Sequence, residues 1–229
     1  MKITLIDAGK RFNRDWIFRH LNYEFSSQHH YAITGPNGSG KSTLLQIIAG
    51  AIGISEGSIR YEHTSTAPSP SSPTPPPRST APSPPSVQAA EIPPDQAYRY
   101  LSLSAPYLEL IEEMTSTEFL RFHQSFKPFL PSMSLPAIID AVGLAAAAHK
   151  QIRFFSSGMK QRIKLAQALF TDTPIVLLDE PCTNLDADGI RLYQHLISEH
   201  TGGRLVIVSS NDPQEYDFCD KVINITEFK

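Results

Sequence analysis

The stretch from Gly35 to Ser42, which reads GPNGSGKS, constrains the fold more than any other part of the chain. It matches the pattern G-x-x-x-x-G-K-[ST] at every fixed position, and this pattern is typical of a phosphate-binding loop between a strand and a helix. Glycines let the backbone wrap around a polyphosphate with its N–H groups pointing inward, which a Cβ atom would obstruct. The alternative, a chance glycine-rich turn, is tested by the residues on either side.

Both flanks of this loop have the expected pattern. Residues 30–34, HYAIT, are typical of a short buried strand, and residues 42–49 have the apolar spacing of a helix, whose amino-terminal dipole favours anions. We therefore predict a nucleotide site in which Lys41 reaches the β- and γ-phosphates and the Ser42 hydroxyl binds Mg²⁺. The predicted binding residues are Gly35, Pro36, Asn37, Gly38, Ser39, Gly40, Lys41, Ser42 and Thr43.

The composition excludes several other classes of protein. The chain has 229 residues, 41% of them hydrophobic, which is enough for one sizeable core. A net charge of -3 with no strongly basic half argues against a nucleic-acid partner held by phosphate attraction. Cys182 and Cys219 are isolated and fit a reducing compartment. The charged amino terminus does not resemble a signal peptide. The chain also has no run of about 18 apolar residues, the length that is needed to span a bilayer. We expect a cytoplasmic protein.

An antiparallel entry subdomain is predicted ahead of the loop. Residues 1–6 alternate in the manner of a strand, and a second apolar segment covers residues 17–25. Phe12 or Trp16 could stack on an adenine ring. On the residues alone, burial in the core is the favoured alternative, because aromatic side chains are usually buried.

A proline-rich stretch interrupts the chain after residue 63. Eleven of the nineteen prolines lie between Pro68 and Pro94, interleaved with Ser, Thr and Ala. Prolines remove backbone donors, and there is too little apolar surface here to offset the ordering entropy, so we predict a disordered insert at 64–96. The segment PPPR at 75–78 could serve as a polyproline docking site. A tolerated loop insertion is the simpler interpretation, because long surface insertions cost little free energy.

Regular structure is predicted to resume with a strand at 97–104, followed by a largely helical region. Thr115 or Ser116, followed by Glu118, has the pattern of a helix start, and residues 134–142 resemble another helix.

The second informative stretch runs from residue 154 to residue 180. Residues 156–158, SSG, head an amphipathic helix, and the apolar run at 175–178 is typical of a strand covered on both faces. That strand delivers Asp179 and Glu180 at its carboxyl end, where parallel sheets bind ligands. Asp179 would help to hold Mg²⁺, and Glu180 would orient the attacking water as a base. An acidic turn without function is the alternative, but its pairing with the phosphate loop favours the site.

In this order, the segments GPNGSGKST, FSSGMKQR, IVLLDEP and TNLD resemble the nucleotide-binding domain of an ATP-binding cassette (ABC) protein. The resemblance covers nearly the whole chain apart from the proline-rich insert. It implies an α/β fold: a P-loop NTPase core with a mixed, largely parallel sheet, a small antiparallel β subdomain and an α-helical subdomain. The single domain, 1–229, would comprise the β subdomain and P-loop at 1–63, the insert at 64–96, a mostly helical subdomain at 97–158 and the rest of the ATPase core at 159–229.

The resemblance also implies site residues. In this family two cassettes close head to tail over two ATP molecules, each with Mg²⁺, so Ser156 and Gly158 would contact the γ-phosphate held by the partner chain. Asp186 belongs to the loop that links the two sites. The family's adenine-stacking aromatic falls on Phe12 by its distance from the phosphate loop, which reverses the preference for burial.

Two departures from the family concern the reacting phosphate. The glutamine expected after the strand near Leu103 is absent from residues 103–106, LSAP, and the histidine expected after residues 205–208 appears as Asn211. Asn211 can donate a hydrogen bond to a phosphate oxygen but cannot carry a proton, which predicts slowed hydrolysis.

The favoured function is the ATPase subunit of an ABC transporter, bound at the inner face of the membrane to a separate transmembrane permease. Its second cassette would be another copy or a different ABC subunit. Two alternatives remain. One is a soluble ABC ATPase, and the other is a nucleotide-gated binding module with weak hydrolysis.

Overall fold

The chain forms two sheets and five α-helices in the computed structural model, which describes residues 1–64 and 89–229. The strands are β1 (Lys2–Phe12), β2 (Asp15–Ser26), β3 (His30–Thr34), β4 (Glu56–Thr64), β5 (Ala89–Ile92), β6 (Leu101–Ser104), β7 (Ile175–Asp179), β8 (Leu205–Ser209) and β9 (Lys221–Asn224). The helices are α1 (Lys41–Ile48), α2 (Ser116–Gln124), α3 (Leu135–Ala141), α4 (Ser157–Phe170) and α5 (Ala187–His200).

The larger sheet is parallel, with the strand order β6-β7-β8-β3-β9. Every residue of β7 and β8 is buried, as expected for strands covered on both faces. Parallel strands end at a common edge, and here Asp179 pairs with Ser209 and Ser104 pairs with Leu178. The register therefore brings several polar side chains to one edge of the sheet, and the loop after β3 begins at the same edge.

The smaller sheet is antiparallel, in the order β2-β1-β4-β5, and this confirms the predicted entry subdomain. Together the two sheets and the helices confirm the predicted α/β fold class with its antiparallel β subdomain. Helix α2 begins at the predicted helix start, where the structure shows a capping box: the Thr115 hydroxyl accepts from the Glu118 N–H, and the Glu118 carboxylate accepts from the Thr115 N–H.

Two hydrophobic clusters cover the two faces of the parallel sheet. Ile175 and Leu177 of β7 pack in the cluster that contains the antiparallel sheet and α1. Val176 and Leu178 pack in the second cluster, with α2, α3, α4 and α5. Because side chains alternate along a strand, each strand residue contributes to one cluster only. The parallel sheet is therefore the shared layer between the two parts of the core.

The structure corrects two predicted boundaries. The strand predicted at 97–104 is limited to β6, because residues Pro94–Tyr100 form a 3₁₀-helical turn opened by proline. The insert predicted at 64–96 extends too far at its carboxyl end, since β5 pairs with β4 from Thr64 opposite Ala89 to Tyr61 opposite Ile92. Its proline-rich middle, including the predicted docking segment at 75–78, lies outside the described residues.

One buried cation ties the end of α4 to the sheet. The Arg204 guanidinium, only 7% exposed, donates to the carbonyl oxygens of Leu169 at 2.6 Å, Thr171 at 2.8 Å and Thr173 at 2.7 Å. Burial lowers the pKa of Arg204 to about 10, so the group stays charged at neutral pH. The last carbonyls of α4 are thus capped from the turn before β8.

A half-buried histidine, His123, links α2 to α4. Its Nδ1 accepts from Gln167 Nε2 at 3.0 Å, and its Nε2 lies 2.8 Å from the Thr171 hydroxyl, so the neutral ring of His123 satisfies both partners. Burial, followed by the nearby charge of Lys127, lowers the pKa of His123 to about 4.

We predict that His123 makes stability sensitive to mild acid. The unfolded ring takes a proton near its ordinary pKa of about 6.5, whereas the folded ring resists protonation until about pH 4. Its contribution to the free energy of unfolding is therefore complete above pH 6.5 and is lost progressively toward pH 4. Urea unfolding of wild type and His123→Gln should show the wild-type advantage shrinking between pH 7.5 and pH 5. The exposed His195→Gln is the control, and an advantage that does not change with pH would contradict the prediction.

Candidate functional site

The loop between β3 and α1 has a backbone that requires glycine. Gly35, Gly38 and Gly40 have φ values of 139°, 76° and 108°, a region that L side chains rarely adopt. A Cβ atom on Gly40 would lie 2.2 Å from the Ile17 side chain on β2. The cap residue of α1 makes no side-chain hydrogen bond to the first turn, so the N–H groups of that turn are available to an anion.

Lys41 is held over this loop. Its ammonium donates to the carbonyl oxygen of Gly35 at 2.8 Å, and the side chain is almost fully buried. A cavity of about 230 Å³ opens beside it, lined by Ile17, Asn37, Gly38, Gly40, Lys41, Ser42, Thr43 and Glu180. Predicted loop residues and the predicted base therefore face one space.

Unpartnered polar atoms collect at the adjoining edge of the parallel sheet. Among the described residues, none hydrogen-bonds the buried Oδ1 of Asp179 or the buried hydroxyls of Ser39, Ser104 and Ser209. Buried polar atoms without partners cost free energy and are rare unless they serve a ligand or ordered water. Hydroxyl and carboxylate oxygens are ligands that suit Mg²⁺. The residues at this edge therefore fit a magnesium ion and its water shell.

Glu180 follows this edge in a strained conformation. Its φ is 43°, an uncommon value for a residue other than glycine, and its N–H donates to the carbonyl oxygen of Ser209 at 2.9 Å. Strain of this kind persists only where the surrounding structure fixes the backbone, and it is common at active sites. The backbone thereby directs Glu180 to the cavity beside the phosphate loop.

Asn211 contacts the phosphate loop directly. Its Oδ1 accepts from the Gly35 N–H at 3.1 Å, and its Nδ2 donates to Asn37 Oδ1 at 3.2 Å. Both polar atoms of the Asn211 side chain are therefore engaged with the loop.

The predicted partner-facing residues lie around a different cavity. Ser156, Gly158 and Asp186 line a space of about 430 Å³ near Asn184. The Ser156 hydroxyl caps α4 by accepting from the Met159 N–H at 3.2 Å, while Asp186 caps α5. A Cβ on Gly158 would lie 3.1 Å from the Asn184 carbonyl oxygen, so glycine allows close packing of the two segments.

Phe12 is placed at the end of β1, 48% exposed, with the Lys10 ammonium 4.9 Å from its ring centroid. Phe12 is not among the described residues that line the cavity beside the phosphate loop. The lining residue nearest to it in sequence is Ile17. Trp16, the alternative, is flanked by two arginines, with the Arg19 guanidinium 4.2 Å from its ring. Nothing in the sequence pattern singles out Ile17, whose role rests on its contact with Gly40.

Tyr107, to which no sequence pattern gives a role, directly follows residues 103–106, where the expected glutamine is absent. Tyr107 follows Pro106 in a turn closed by the hydrogen bond from the Leu108 N–H to the Ala105 carbonyl oxygen, at 3.2 Å. Burial raises the pKa of Tyr107, a hydrogen bond with Gln46 on α1 lowers it, and the Asp179 charge raises it further. The Tyr107 side chain is 46% exposed, so it is open to solvent at a position that feels the Asp179 charge. The one sequence feature that points to this region is the absence of the expected glutamine from residues 103–106.

The fold and this geometry define a nucleotide-binding cassette, and comparison with known proteins agrees. The family model for the ABC transporter matches residues 18–183, which is most of the chain and includes the phosphate loop and both predicted acidic residues. The chain therefore belongs to the ABC transporter family.

Two relatives share the chain over most of their lengths. The cytochrome c biogenesis ATP-binding export protein CcmA of Rhodopseudomonas palustris is 32% identical over 198 residues, which is 86% of this chain and 85% of the relative. That of Agrobacterium fabrum is 29% identical over 217 residues, or 93% and 90%. The chain is thus the ATP-binding subunit of an ABC transporter, as predicted. In residues 1–64 and 89–229, none of the helices combines the length and the apolar character that a membrane span requires.

Solved structures agree on the fold. An ABC transporter ATP-binding protein from Pyrococcus furiosus covers 100% of both chains, with a TM-score of 0.76 and 18% identity. A dimeric ATP-binding cassette in a post-hydrolysis state, bound to ADP and phosphate, covers 97% of this chain and 94% of its own, with a TM-score of 0.72 and 20% identity.

We predict that Gly40→Ala weakens ATP binding at least tenfold, which is about 1.4 kcal/mol. The added Cβ meets Ile17, and alanine is also strained at a φ of 108°. A second change, Ile17→Ala, should therefore restore affinity only in part. Gly202→Ala, which meets open space, is the control. Dissociation constants from calorimetry give the comparison, and full affinity in Gly40→Ala would contradict the assigned role of the loop.

Proposed function

We propose that this chain hydrolyses MgATP as one half of a head-to-tail dimer and drives a separate membrane permease from the inner face of the membrane. One observation carries the proposal. Lys41 and Glu180 face one cavity, while Ser156, Gly158 and Asp186 face another. A complete site would then combine the phosphate loop of one subunit with the α4 cap of a second, which is either another copy or a different cassette.

Roles follow from the chemistry of each residue. The loop N–H groups and Lys41 would hold the phosphates, and Lys41 would exchange its bond to the Gly35 carbonyl oxygen for phosphate oxygens. Ser42 and Asp179 would hold Mg²⁺, whose charge offsets that of the phosphates. Glu180 would orient the attacking water and accept its proton. Phe12 would stack on the adenine, in line with its exposed position on the hairpin.

Slowed hydrolysis is part of the proposal. Asn211 offers an amide where the family has an ionisable ring, and its two polar atoms already serve the phosphate loop. Residues 103–106 contain no glutamine, and the polar side chains in this segment and directly after it are Ser104 and Tyr107. These features favour the nucleotide-gated module with weak hydrolysis as the second candidate. The names of the relatives support export as the direction of transport.

We predict that Glu180→Gln retains MgATP affinity but lowers steady-state ATPase turnover at least 100-fold, because the base is lost while the phosphate contacts remain. The variant should also form a longer-lived dimer with ATP, which light scattering measures. Lys41→Ala is the contrasting variant and should lose tight MgATP binding. Wild-type turnover no higher than that of Glu180→Gln, in protein that dimerises, would favour the nucleotide-gated module.

Asn211 allows a second test of the reaction. Asn211→His should raise turnover about fivefold, close to 1 kcal/mol in the barrier, with little change in MgATP affinity. Asn211→Ala should lower turnover, because both the loop contacts and the phosphate donor are lost. Turnover that is insensitive to both changes would show that Asn211 takes no part in catalysis.

A further inference from the structure

The peptide group that joins Pro181 to Cys182, one residue beyond Glu180, is held at both ends by buried side chains. Gln161 Nε2 donates to the Pro181 carbonyl oxygen at 2.7 Å. On the other side, the Cys182 N–H donates to Glu215 Oε1, also at 2.7 Å. Gln161 is 3% exposed and Glu215 is 4% exposed, so both hydrogen bonds are shielded from water. We call this arrangement the peptide clamp.

The two side chains of the peptide clamp come from separate parts of the fold. Gln161 lies on α4, five residues after the capping Ser156. Glu215 ends the 3₁₀-helical turn Pro213–Glu215 that follows β8, and its own carbonyl oxygen accepts from the Tyr193 hydroxyl of α5 at 2.7 Å. The clamp is therefore anchored on α4, on α5 and on the segment that carries Asn211.

Backbone strain lies on both sides of the clamp. Glu180 and Asn184 have φ values of 43° and 66°, and neither is glycine. Two turns connect them, closed by the hydrogen bonds from the Thr183 N–H to the Glu180 carbonyl oxygen and from the Leu185 N–H to the Cys182 carbonyl oxygen. Left-handed residues other than glycine persist only where surrounding contacts fix them. The clamped peptide lies between them and supplies contacts of that kind.

A buried carboxylate is a costly way to hold one N–H group. Burial raises the pKa of Glu215, and hydrogen bonds from the Ser210 side chain and the Cys182 N–H lower it. The nearby carboxylates of Asp212 and Glu180 add repulsion, which raises the pKa again. If the position of Glu215 had only to fill space in the core, an apolar side chain could occupy it at a lower cost in free energy.

We propose that Gln161 and Glu215 are positioning residues, which clamp the Pro181–Cys182 peptide and thereby hold Glu180 and the loop to Asp186 in the geometry for hydrolysis. The proposal rests on the role proposed above for Glu180. It deepens that role, because it ties the base of one site to α4, the helix whose cap would serve the site of the partner.

The experiment compares Gln161→Met and Glu215→Met, which each remove one half of the clamp, with Glu215→Gln, whose amide oxygen still accepts from the Cys182 N–H. Gln167→Met is the control, because it removes a half-buried amide hydrogen bond from the same helix far from the clamp. Each full-length protein is assayed for MgATP affinity, for ATPase turnover and for amide hydrogen exchange in the peptide that covers residues 180–186.

Both clamp-breaking variants should exchange the amides of residues 180–186 at least tenfold faster and lose at least tenfold in turnover. Their MgATP affinity should stay within twofold of wild type, because the phosphate loop keeps its contacts. Glu215→Gln should retain turnover within about threefold and wild-type exchange. Gln167→Met should match wild type in both measurements, whatever its melting temperature.

Two results would overturn the clamp: unchanged exchange in both methionine variants, or Glu215→Gln exchanging as fast as Glu215→Met. If Glu215→Met does not fold, Gln161→Met decides alone, since it removes no charge. The exchange measurement needs no catalysis. Wild-type protein without ATPase activity would therefore reject the proposed function and leave the clamp open to the same test.

Discussion

The structure depends on the register of the parallel sheet. Asp179 reaches the site because β7 pairs with β8 so that Asp179 lies opposite Ser209. Leu177 and Leu178 lie on opposite faces of the sheet, in different hydrophobic clusters. A slip of one residue would move each of them to the other face, away from its own cluster. The two clusters therefore fix the register, and the register fixes the polar atoms at the edge. Stability and site geometry have one physical origin here.

The antiparallel subdomain helps to hold the phosphate loop in place, in addition to burying apolar surface. The Ile17 side chain on β2 lies 2.2 Å from the position that a Cβ on Gly40 would take, so the subdomain packs directly against the phosphate loop. On the other side of the phosphate loop, the Asn211 side-chain oxygen accepts from the Gly35 N–H, the first of the loop. The loop is thus held by the entry subdomain and by the segment after β8, with Lys41 bonded across its carbonyl oxygens. These protein contacts fix the shape of the loop, which reduces the ordering cost of phosphate binding.

Local signals predicted the parts of this fold that depend on few residues. The phosphate loop, the helix start at Thr115 and the buried strand before Asp179 each follow from patterns within a dozen residues. Predictions failed where distant partners decide the outcome. Ala89–Ile92 is a strand because it pairs with β4 across the proline-rich stretch, and no local pattern favours that pairing. The clamp joins residues 161, 181 and 215, and sequence reasoning assigned no role to Gln161 or Glu215 although FSSGMKQR contains the former.

The helix α4 shows how contacts at long range could link two nucleotide sites. Its cap at Ser156 would face the phosphate of the partner. Gln161, near the middle of the helix, donates a hydrogen bond to the Pro181 carbonyl oxygen. At the other end, Arg204 donates to the last carbonyl oxygens of the helix. A helix of 14 residues is a stiff rod of about 21 Å. Because Arg204 holds one end, a displacement of the capped end would tilt the helix and would move Gln161 with it. The Pro181 carbonyl oxygen follows through a buried hydrogen bond that water cannot easily replace. Closure on the phosphate of the partner would therefore reach the base of this subunit's own site within a single rigid element.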